Sequence, residues 1–214
     1  MKELFRRTAV LGCLILAFSF VQPLHADEKG EKIVQKASKK IESIKQMCAD
    51  YVQTFYWQLA DETNAVGGTV CVRNGVSFRI ENRDQQIITD GKTLWTISHV
   101  NEQVIIDHAE NSTSDNPFLY RYLRDMIKVY EAKLVSEDAN QYYLQLTARS
   151  EDEFQREVQL WIDKKTDLLK KAVQVDINGN TVTYELTNVN LGVELDNSVF
   201  QANYPASYEV IDMR

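Results

Sequence analysis

From Tyr51 onward, most of the chain alternates apolar and polar residues with a period of two, in short runs separated by turn residues. This period is typical of β-strands that bury one face, and regularly spaced turns are typical of an antiparallel meander. About ten or eleven strands are predicted in this way. The most specific turn signal is Asn178-Gly179, a dipeptide favoured in two-residue hairpins.

Two segments depart from this pattern and predict helices. From Ile33 to Met47, apolar residues recur every three or four positions, with Lys and Glu between them. Asn116-Pro117 then offers a cap and a first helical position, and the residues that follow, through Asp125, are apolar almost all round the helix. A sheet of so many strands curls by its own twist. We therefore expect a mainly β (α+β) fold, an incomplete antiparallel β-barrel whose N-terminal and central helices form a lid over a hydrophobic cavity.

The start of the chain has the features of a cleaved secretory signal peptide. Basic residues precede an apolar run that Pro23 ends, ahead of an acceptable cleavage triplet. Cys13 suggests a lipid-anchored protein as the alternative, but the apolar run continues past it and too little of the run precedes it. We expect residues 1–26 to be removed and residues 27–214 to fold as one domain, large enough for a full core.

The net negative charge of the chain argues against some classes of binding partner. Removing the first 26 residues takes away three basic residues and one acidic residue, so the net charge falls from −7 to about −9. Such acidity argues against nucleic acid as a partner and against direct docking on anionic lipid. A basic cluster at residues 36–40 is expected to be a solvated helix face, with a partner-binding patch as the alternative.

Cys48 and Cys71 remain after cleavage, in a compartment that permits disulfides. A hairpin that turns at residues 61–65 would pair Cys71 with a residue near Phe55. The offset of seven residues from Cys48 corresponds to roughly 23 Å along a strand, whereas bridged Cα atoms lie within about 7 Å. We therefore expect two buried thiols rather than a bridge, unless a bulge at the start of the strand shortens the distance.

Catalytic and metal-binding motifs are missing from the sequence. The histidines beyond the leader, His99 and His108, have no HExxH or CxxC companion, and the chain has neither a Gly-x-Ser-x-Gly elbow nor a Gly-rich phosphate loop. The acidic runs at residues 61–62 and 151–153 lie in polar contexts typical of solvated loop tips. We expect no enzyme, no metal and no cofactor.

Several motifs occur along the chain in a characteristic order: Tyr51-Val52-Gln53-Thr54, Phe78-Arg79, Asp-Gly-Lys-Thr-Leu-Trp at residues 90–95, Asn116-Pro117-Phe118, Trp161-Ile162-Asp163, and Asp196 to Phe200 with Pro205. This order resembles the periplasmic outer-membrane lipoprotein carrier family, LolA. The resemblance covers most of the chain after the leader, and its most specific phrase is Asp-Gly-Lys-Thr-Leu-Trp at residues 90–95. The family commonly has Pro after the arginine that matches Arg73, where this chain has Asn74-Gly75, and the strand around Cys71 is divergent.

This resemblance implies an open β-barrel, capped by helices, that encloses an apolar cavity for the acyl chains of lipoproteins. Such a protein is expected to act as a monomer in the periplasm. It would receive acylated lipoprotein from an inner-membrane ABC lipoprotein-release transporter and pass it to an outer-membrane acceptor. The residues expected to line the cavity are Phe55, Trp57, Phe78, Ile80, Trp95, Ile97 and Trp161 from the sheet, with Phe118, Leu119, Tyr122 and Leu123 from the lid.

Arg73 is the residue to which the resemblance gives a specific role. In the family, the arginine at this position ties the sheet to the lid by hydrogen bonds and holds the empty cavity shut, so Arg73 is expected to be the lid latch. A guanidinium suits this role because it presents several donors in a rigid fork. The alternative is a solvated arginine at a strand end.

Other interpretations stay open at the level of sequence. Each predicted cavity residue could equally be ordinary core, because a period of two fixes which residues share a face and not what fills that face. A relative with the same half-barrel could instead carry a glycolipid or sense an envelope-stress signal. A lipid hydrolase would need a nucleophile and a base, which the sequence does not supply.

Overall fold

The structure, a computed structural model, describes residues 27–111 and 120–214, and it leaves out the side chains of residues 111 and 120–124. The predicted signal peptide and the predicted start of the central helix therefore lie outside the described residues. In the part that is described, no helix is long and apolar enough to cross a membrane.

The first helix, α1, spans Glu28–Ser43, and Asp27 caps it by accepting a hydrogen bond from the Lys29 backbone N–H at 3.1 Å. The predicted bounds of this helix, Ile33 to Met47, are wrong at both ends. The Asp27 cap starts the helix earlier, and Ile44 is already extended, with φ −71° and ψ 120°. Met47 belongs to the strand that follows.

The described residues form one sheet of twelve strands, β1 to β12, plus a second helix, α2, at Tyr120–Val129. In chain order, the strands are Gln46–Trp57, Glu62–Arg73, Ser77–Asn82, Gln85–Thr89, Thr93–Ser98, Gln103–His108, Tyr130–Glu137, Gln141–Ala148, Gln155–Asp163, Leu169–Asp176, Thr181–Asn190 and Glu209–Asp212.

Neighbouring strands follow the order β12-β6-β5-β4-β3-β2-β1-β11-β10-β9-β8-β7, and all pairs are antiparallel except β12 with β6. Among the described strands, the two edges β12 and β7 do not pair with each other, so the sheet is open. The prediction of an incomplete antiparallel barrel with two helices is confirmed. The number of strands exceeds the predicted ten or eleven because the C-terminal segment adds β12.

Cys48 and Cys71 form a disulfide, and their Cα atoms lie 4.1 Å apart. The expectation of two free thiols was wrong because the β1–β2 hairpin turns at residues 58–61, earlier than predicted. This register places Cys48 directly opposite Cys71 and Trp57 opposite Glu62. The predicted turn residues 61–65 mostly begin β2, whose first four residues are exposed.

The two faces of the sheet are covered by different parts of the chain. One face, called here the helix face, packs against α1, whose Val34, Ala37 and Ile41 join a core with alternate residues of most strands. The opposite face, called here the tail face, is covered over β4–β6 by the tail segment, residues 196–208. Ala202, Tyr204 and Tyr208 of this segment pack on the apolar side chains of Ile88, Trp95, Ile97, Val104 and Ile106.

Candidate functional site

Four of the predicted cavity residues share the helix face. Phe78 and Ile80 are buried in its core, at 7% and 5% exposure. Phe55 and Trp57 follow Met47, Ala49 and Tyr51 at alternate positions of β1, and so they continue the same face toward the β1–β2 turn. The rings of Phe55 and Trp57 meet edge to face at 5.6 Å, and Trp57 is 52% exposed.

Two other predicted cavity residues lie on the opposite side of the sheet, beneath the tail segment. Trp95 pairs with Ile88, and Ile97 pairs with Val104, in the core of the tail face. The expectation that Trp95 and Ile97 line the same cavity as Phe78 was wrong. Consecutive apolar residues in β4 and β5 place one side chain on each face, so a hydrophobic side chain there does not identify the helix face.

Trp161 was also assigned to the wrong face. The buried residues of β9 are its neighbours Leu160 and Ile162, so the Trp161 side chain points to the tail face. There its ring stacks on Tyr143, with centroids 4.7 Å apart, and the Lys171 ammonium lies 5.4 Å from the ring centroid. Trp161 therefore belongs to a row of cross-strand contacts on the outside of the sheet.

The four predicted lid residues, Phe118, Leu119, Tyr122 and Leu123, lie in the part of the chain whose side chains the structure leaves out. Their role as cavity residues stays a prediction. The described end of α2 does pack on the helix face, because Met126 and the neighbouring Tyr130 belong to its core.

Among the described residues, two cavities lie at opposite ends of the helix face. One cavity, of about 320 Å³, lies beside the β1–β2 turn and is called here the hairpin pocket. It is lined by Phe55, Trp57, Phe154, Gln155, Gln174, Asp176, Asn178, Asn180 and Val182. Phe154, which is 58% exposed, was not predicted from the sequence as a cavity residue. Its position directly after three acidic residues was the available sequence signal.

The second cavity, of about 420 Å³, lies between the start of β10 and the end of β11 and is called here the seam pocket. It is lined by Asp163, Thr166, Leu168, Leu169, Lys170, Leu186, Thr187, Asn188, Val189 and Leu191. None of these residues was singled out from the sequence as a cavity residue. Both volumes fall within the range of about 300–1,000 Å³ that is usual for ligand sites.

Two buried tyrosines of the helix face have hydrogen-bonded hydroxyl groups. Tyr51 Oη accepts from Asn82 Nδ2 at 3.3 Å, and Tyr130 Oη donates to the Gln155 carbonyl at 3.0 Å. Burial raises the pKa of Tyr51, and burial with the nearby Glu153 carboxylate raises the pKa of Tyr130 to about 12. Both phenols stay protonated near neutral pH, so they suit an apolar binding surface better than acid–base chemistry.

The described contacts of Arg73 are with the C-terminal part of the chain. Its Nη1 donates to Asn197 Oδ1 at 2.7 Å and to the Leu195 carbonyl at 3.5 Å. Its guanidinium also lies over the Phe200 ring, 4.4 Å from the centroid. Arg73 follows Cys71 at an alternate position of β2, so the same strand end carries the disulfide and this anchor of the tail.

Comparisons with known proteins agree with this architecture. A family model described as "Outer membrane lipoprotein carrier protein LolA" matches residues 42–203. An outer-membrane lipoprotein carrier protein of Vibrio campbellii is 27% identical over 217 residues, which cover 100% of both chains. The corresponding protein of Pasteurella multocida is 25% identical over 179 residues, which cover 82% of this chain and 85% of the relative.

Solved structures agree at the level of the fold. An uncharacterized conserved protein from Thermus thermophilus gives a TM-score of 0.59 at 14% identity, covering 86% of this chain and 99% of the other. MucB gives a TM-score of 0.53 at 16% identity, covering 86% of this chain and 65% of MucB. The family model spans well over half of the sequence, and this protein therefore belongs to the LolA family of outer membrane lipoprotein carriers.

Proposed function

We propose that this protein is a periplasmic carrier that binds the acyl chains of lipoproteins on its helix face and shuttles them from the inner membrane to the outer membrane. The observation that carries the proposal is a continuous apolar face with open space at both ends, in a chain of the LolA family. The proposed role is transport without catalysis.

An acyl chain requires an extensive apolar binding surface, because its burial away from water has a large favourable free energy. Burial contributes about 0.8 kcal/mol per CH₂ group, so one 16-carbon chain represents on the order of 10 kcal/mol. A few scattered apolar side chains could not supply such an environment. The helix face would supply it where cargo replaces the helices, through aliphatic residues that the chain itself now buries, among them Leu144, Leu146, Val158 and Leu160.

Within the described residues, part of the helix face is covered by the helices of the chain itself. Val34 and Ala37 of α1 are fully buried against the sheet, and Met126 of α2 is 4% exposed. Cargo longer than the end pockets must therefore exchange its contacts for those of the helices. We infer that the closed empty state recovers much of the binding energy, which keeps binding reversible and allows delivery.

The proposed partners follow from the family. Cargo would arrive from an inner-membrane ABC lipoprotein-release transporter and leave to an outer-membrane acceptor, and residues 1–26 would direct export. The carrier is proposed to act as a monomer. The net charge, −7 for the full sequence and about −9 without residues 1–26, supports cargo binding through acyl chains rather than through anionic lipid surfaces.

Co-purification of acylated lipoprotein with matched double variants tests the proposal. Phe55→Gln with Trp57→Gln replaces the two aromatic rings of the hairpin pocket. Thr54→Gln with Tyr56→Gln changes the two neighbouring residues of β1 that point to the other face. We expect the first pair to lower the yield of bound triacylated lipoprotein strongly and the second pair to leave it near the wild-type level.

Several outcomes would contradict the proposal. Equal cargo yield in both double variants would argue against acyl binding on the helix face. Recovery of free glycolipid without lipoprotein would point to another ligand of the same half-barrel, and turnover of either lipid would indicate an enzyme.

A further inference from the structure

The sheet opens between β10 and β11, and this opening forms the seam pocket. Pairing of the two strands runs from Val175 opposite Thr181 to Lys171 opposite Glu185 and then stops. Beyond Glu185, β11 continues to pair with β1 on its other side, as far as Asn190 opposite Cys48. The two strands therefore diverge beyond this pair, and the seam pocket lies between them.

The separation is built into the backbone by a bulge. The register of β11 against β1 shifts between Cys48 and Asp50, and Asn188 adopts a positive φ of 51°. The Asn188 side-chain amide donates to the Asp50 carboxylate at 2.7 Å and holds the strand in this course. A β-bulge bends the strand that carries it, so β11 turns away from β10 at this point.

The walls of the seam pocket are aliphatic and are continuous with the core. Leu168 and Leu169 are buried, at 6% and 2% exposure, whereas Val189 and Leu191 are 39% and 42% exposed. Leu168, Leu169 and Val189 also border a small void beside Ile41 and Met47 in the core of the helix face. The pocket therefore leads from the surface to the apolar interior.

Two polar side chains that line the seam pocket, those of Asp163 and Asn188, already make hydrogen bonds within the protein. Asp163 Oδ1 accepts hydrogen bonds from the backbone N–H groups of Lys165 and Thr166, at 3.0 and 2.9 Å. The Asn188 amide is held by Asp50. What the aliphatic side chains of Leu168, Leu169, Val189 and Leu191 offer a ligand is burial of hydrocarbon.

We propose that the seam pocket holds one hydrocarbon chain of a triacylated cargo, separately from the chains that enter at the hairpin pocket. This inference rests on the proposed function. The two pockets are distinct because Val182 lines one and Leu186 the other, four residues apart on β11 or roughly 13 Å. The described part of the carrier thus has two chain sites, and the seam is the lateral one.

Photo-crosslinking tests this assignment. Benzoylphenylalanine is placed singly at Val189 in the seam pocket, at Val182 in the hairpin pocket, and at Val52 on the tail face as the control, and each protein is irradiated with a synthetic tripalmitoyl lipopeptide. We expect crosslinks from positions 189 and 182 and none above background from position 52. Crosslinking from 182 alone would overturn the seam assignment and leave the proposed function intact. Crosslinking from neither pocket would contradict the proposed function, and with it this inference.

A pocket-filling substitution provides an independent measurement. Val189→Trp should fill the seam, and the partial exposure of Val189 makes the larger side chain tolerable for folding. We expect binding of the tripalmitoyl lipopeptide to weaken by about tenfold or more, the effect of excluding roughly two methylene groups from an apolar site. Binding of a diacyl lipopeptide, and of both ligands by the control Val52→Trp, should stay unchanged. Unaltered triacyl binding by Val189→Trp would overturn the inference.

Discussion

The guanidinium carbon of Arg73 lies 4.4 Å from the centroid of the Phe200 ring, which is 1% exposed. The same guanidinium donates to Asn197 Oδ1, so Arg73 holds the short 3₁₀ turn that begins the tail segment from two directions. Arg79, on the next strand, adds a bond to the Val199 carbonyl at 3.4 Å. In the described residues, then, the arginine expected to latch the helices anchors the tail.

Substitution of Arg73 should loosen the tail segment. Cation–π contacts and hydrogen bonds of a partly buried arginine each contribute about 1 kcal/mol, so we expect Arg73→Leu to lower the free energy of unfolding by about 1–3 kcal/mol. Hydrogen exchange of residues 196–212 should accelerate more than that of β8 and β9. The control is Arg83→Leu, because the Arg83 side chain is 89% exposed and should contribute less than about 0.5 kcal/mol. Unchanged exchange in the tail would contradict this role.

The same substitution also tests the latch that the family resemblance implies. If Arg73 also holds the helices shut in the empty state, Arg73→Leu should favour the open state, retain cargo and slow delivery to an outer-membrane acceptor. Wild-type delivery rates in this variant would refute the latch. Faster hydrogen exchange in the tail segment together with normal delivery would show that Arg73 only anchors the tail segment.

Gly30 is required by the close approach of α1 to β7. A Cβ atom at this position would lie 2.7 Å from the carbonyl oxygen of Ala132 and 3.0 Å from the backbone nitrogen of Leu134. An alanine in a helix normally stabilises by about 1 kcal/mol relative to glycine, but this clash is with backbone atoms that cannot rotate away. We expect Gly30→Ala to destabilise by about 1–3 kcal/mol, measured by urea unfolding. Gln35→Ala, at an exposed position of the same helix, should be nearly neutral, and a stabilised Gly30→Ala would contradict the prediction.

The disulfide should contribute substantially to stability. It joins residues 23 apart in the sequence, and closing a loop of that length in the unfolded chain corresponds to about 3 kcal/mol. We expect Cys48→Ser with Cys71→Ser to lower the unfolding free energy by about that amount, as should treatment of the wild type with a reductant. The double variant should be insensitive to the reductant. Equal stability of the reduced and oxidised wild type would contradict the prediction.

The register error behind the missed disulfide has a physical cause. A run such as Asp61 to Asn64 is typical of a turn, yet its last three residues begin β2, where every side chain is exposed. No buried face existed there to produce an alternating pattern. Gly68 lies inside β2, opposite Tyr51. A Cβ atom there would collide with the Glu81 carbonyl oxygen and lie 2.8 Å from the Tyr51 ring, so the close packing at this point requires glycine.

The sequence predicted where most strands lie better than which face each residue occupies. In β9, the alternation of Val158, Leu160 and Ile162 was visible and would have placed Trp161 on the other face. In β5, Leu94 and Trp95 are adjacent apolar residues, and only the position of the tail segment decides that Trp95 faces away from the helices. Contacts between segments distant in the chain cannot be deduced from the period of one strand.

Glu137 connects two parts of the structure through ion pairs. Its carboxylate oxygens lie 2.7 Å from Lys164 Nζ and 2.5 Å from Lys29 Nζ of α1. These hydrogen bonds, first that of Lys164 and then that of Lys29, lower the pKa of Glu137 to about 2. Because the folded pKa lies below the ordinary value of 4.5, the stabilisation is complete above pH 4.5 and is lost as the pH falls toward 2.

We therefore expect Glu137→Gln to be less stable than the wild type at pH 6, with a difference that shrinks as the pH falls from about 5 to 2. Urea unfolding at each pH measures the difference. In a background with Lys29→Met and Lys164→Met, the same substitution should produce no such trend. If Glu137→Gln differed from the wild type in stability by the same amount at every pH, with both lysines present, the ion pairs would not be the source of the difference.

The three tryptophans report separately on the two faces of the sheet. Trp57 borders the hairpin pocket on the helix face, Trp95 lies under the tail segment, and Trp161 stacks on Tyr143 on the outside. A lipopeptide with brominated acyl chains quenches only tryptophans near the bound chains. In variants that keep one tryptophan and replace the other two by Phe, we expect strong quenching of Trp57 and almost none of Trp95 or Trp161.

The pattern of quenching distinguishes the two assignments of the cavity. If all three tryptophans were quenched alike, the acyl chains would reach both faces. That result would agree with the cavity residues predicted from the sequence, which included all three tryptophans. Quenching of Trp95 alone would place the chains beneath the tail segment. Brominated tetradecane, a free hydrocarbon without a peptide, can serve as a second probe. Quenching of Trp57 by this hydrocarbon would show that the site recognises the acyl chain and does not need the peptide.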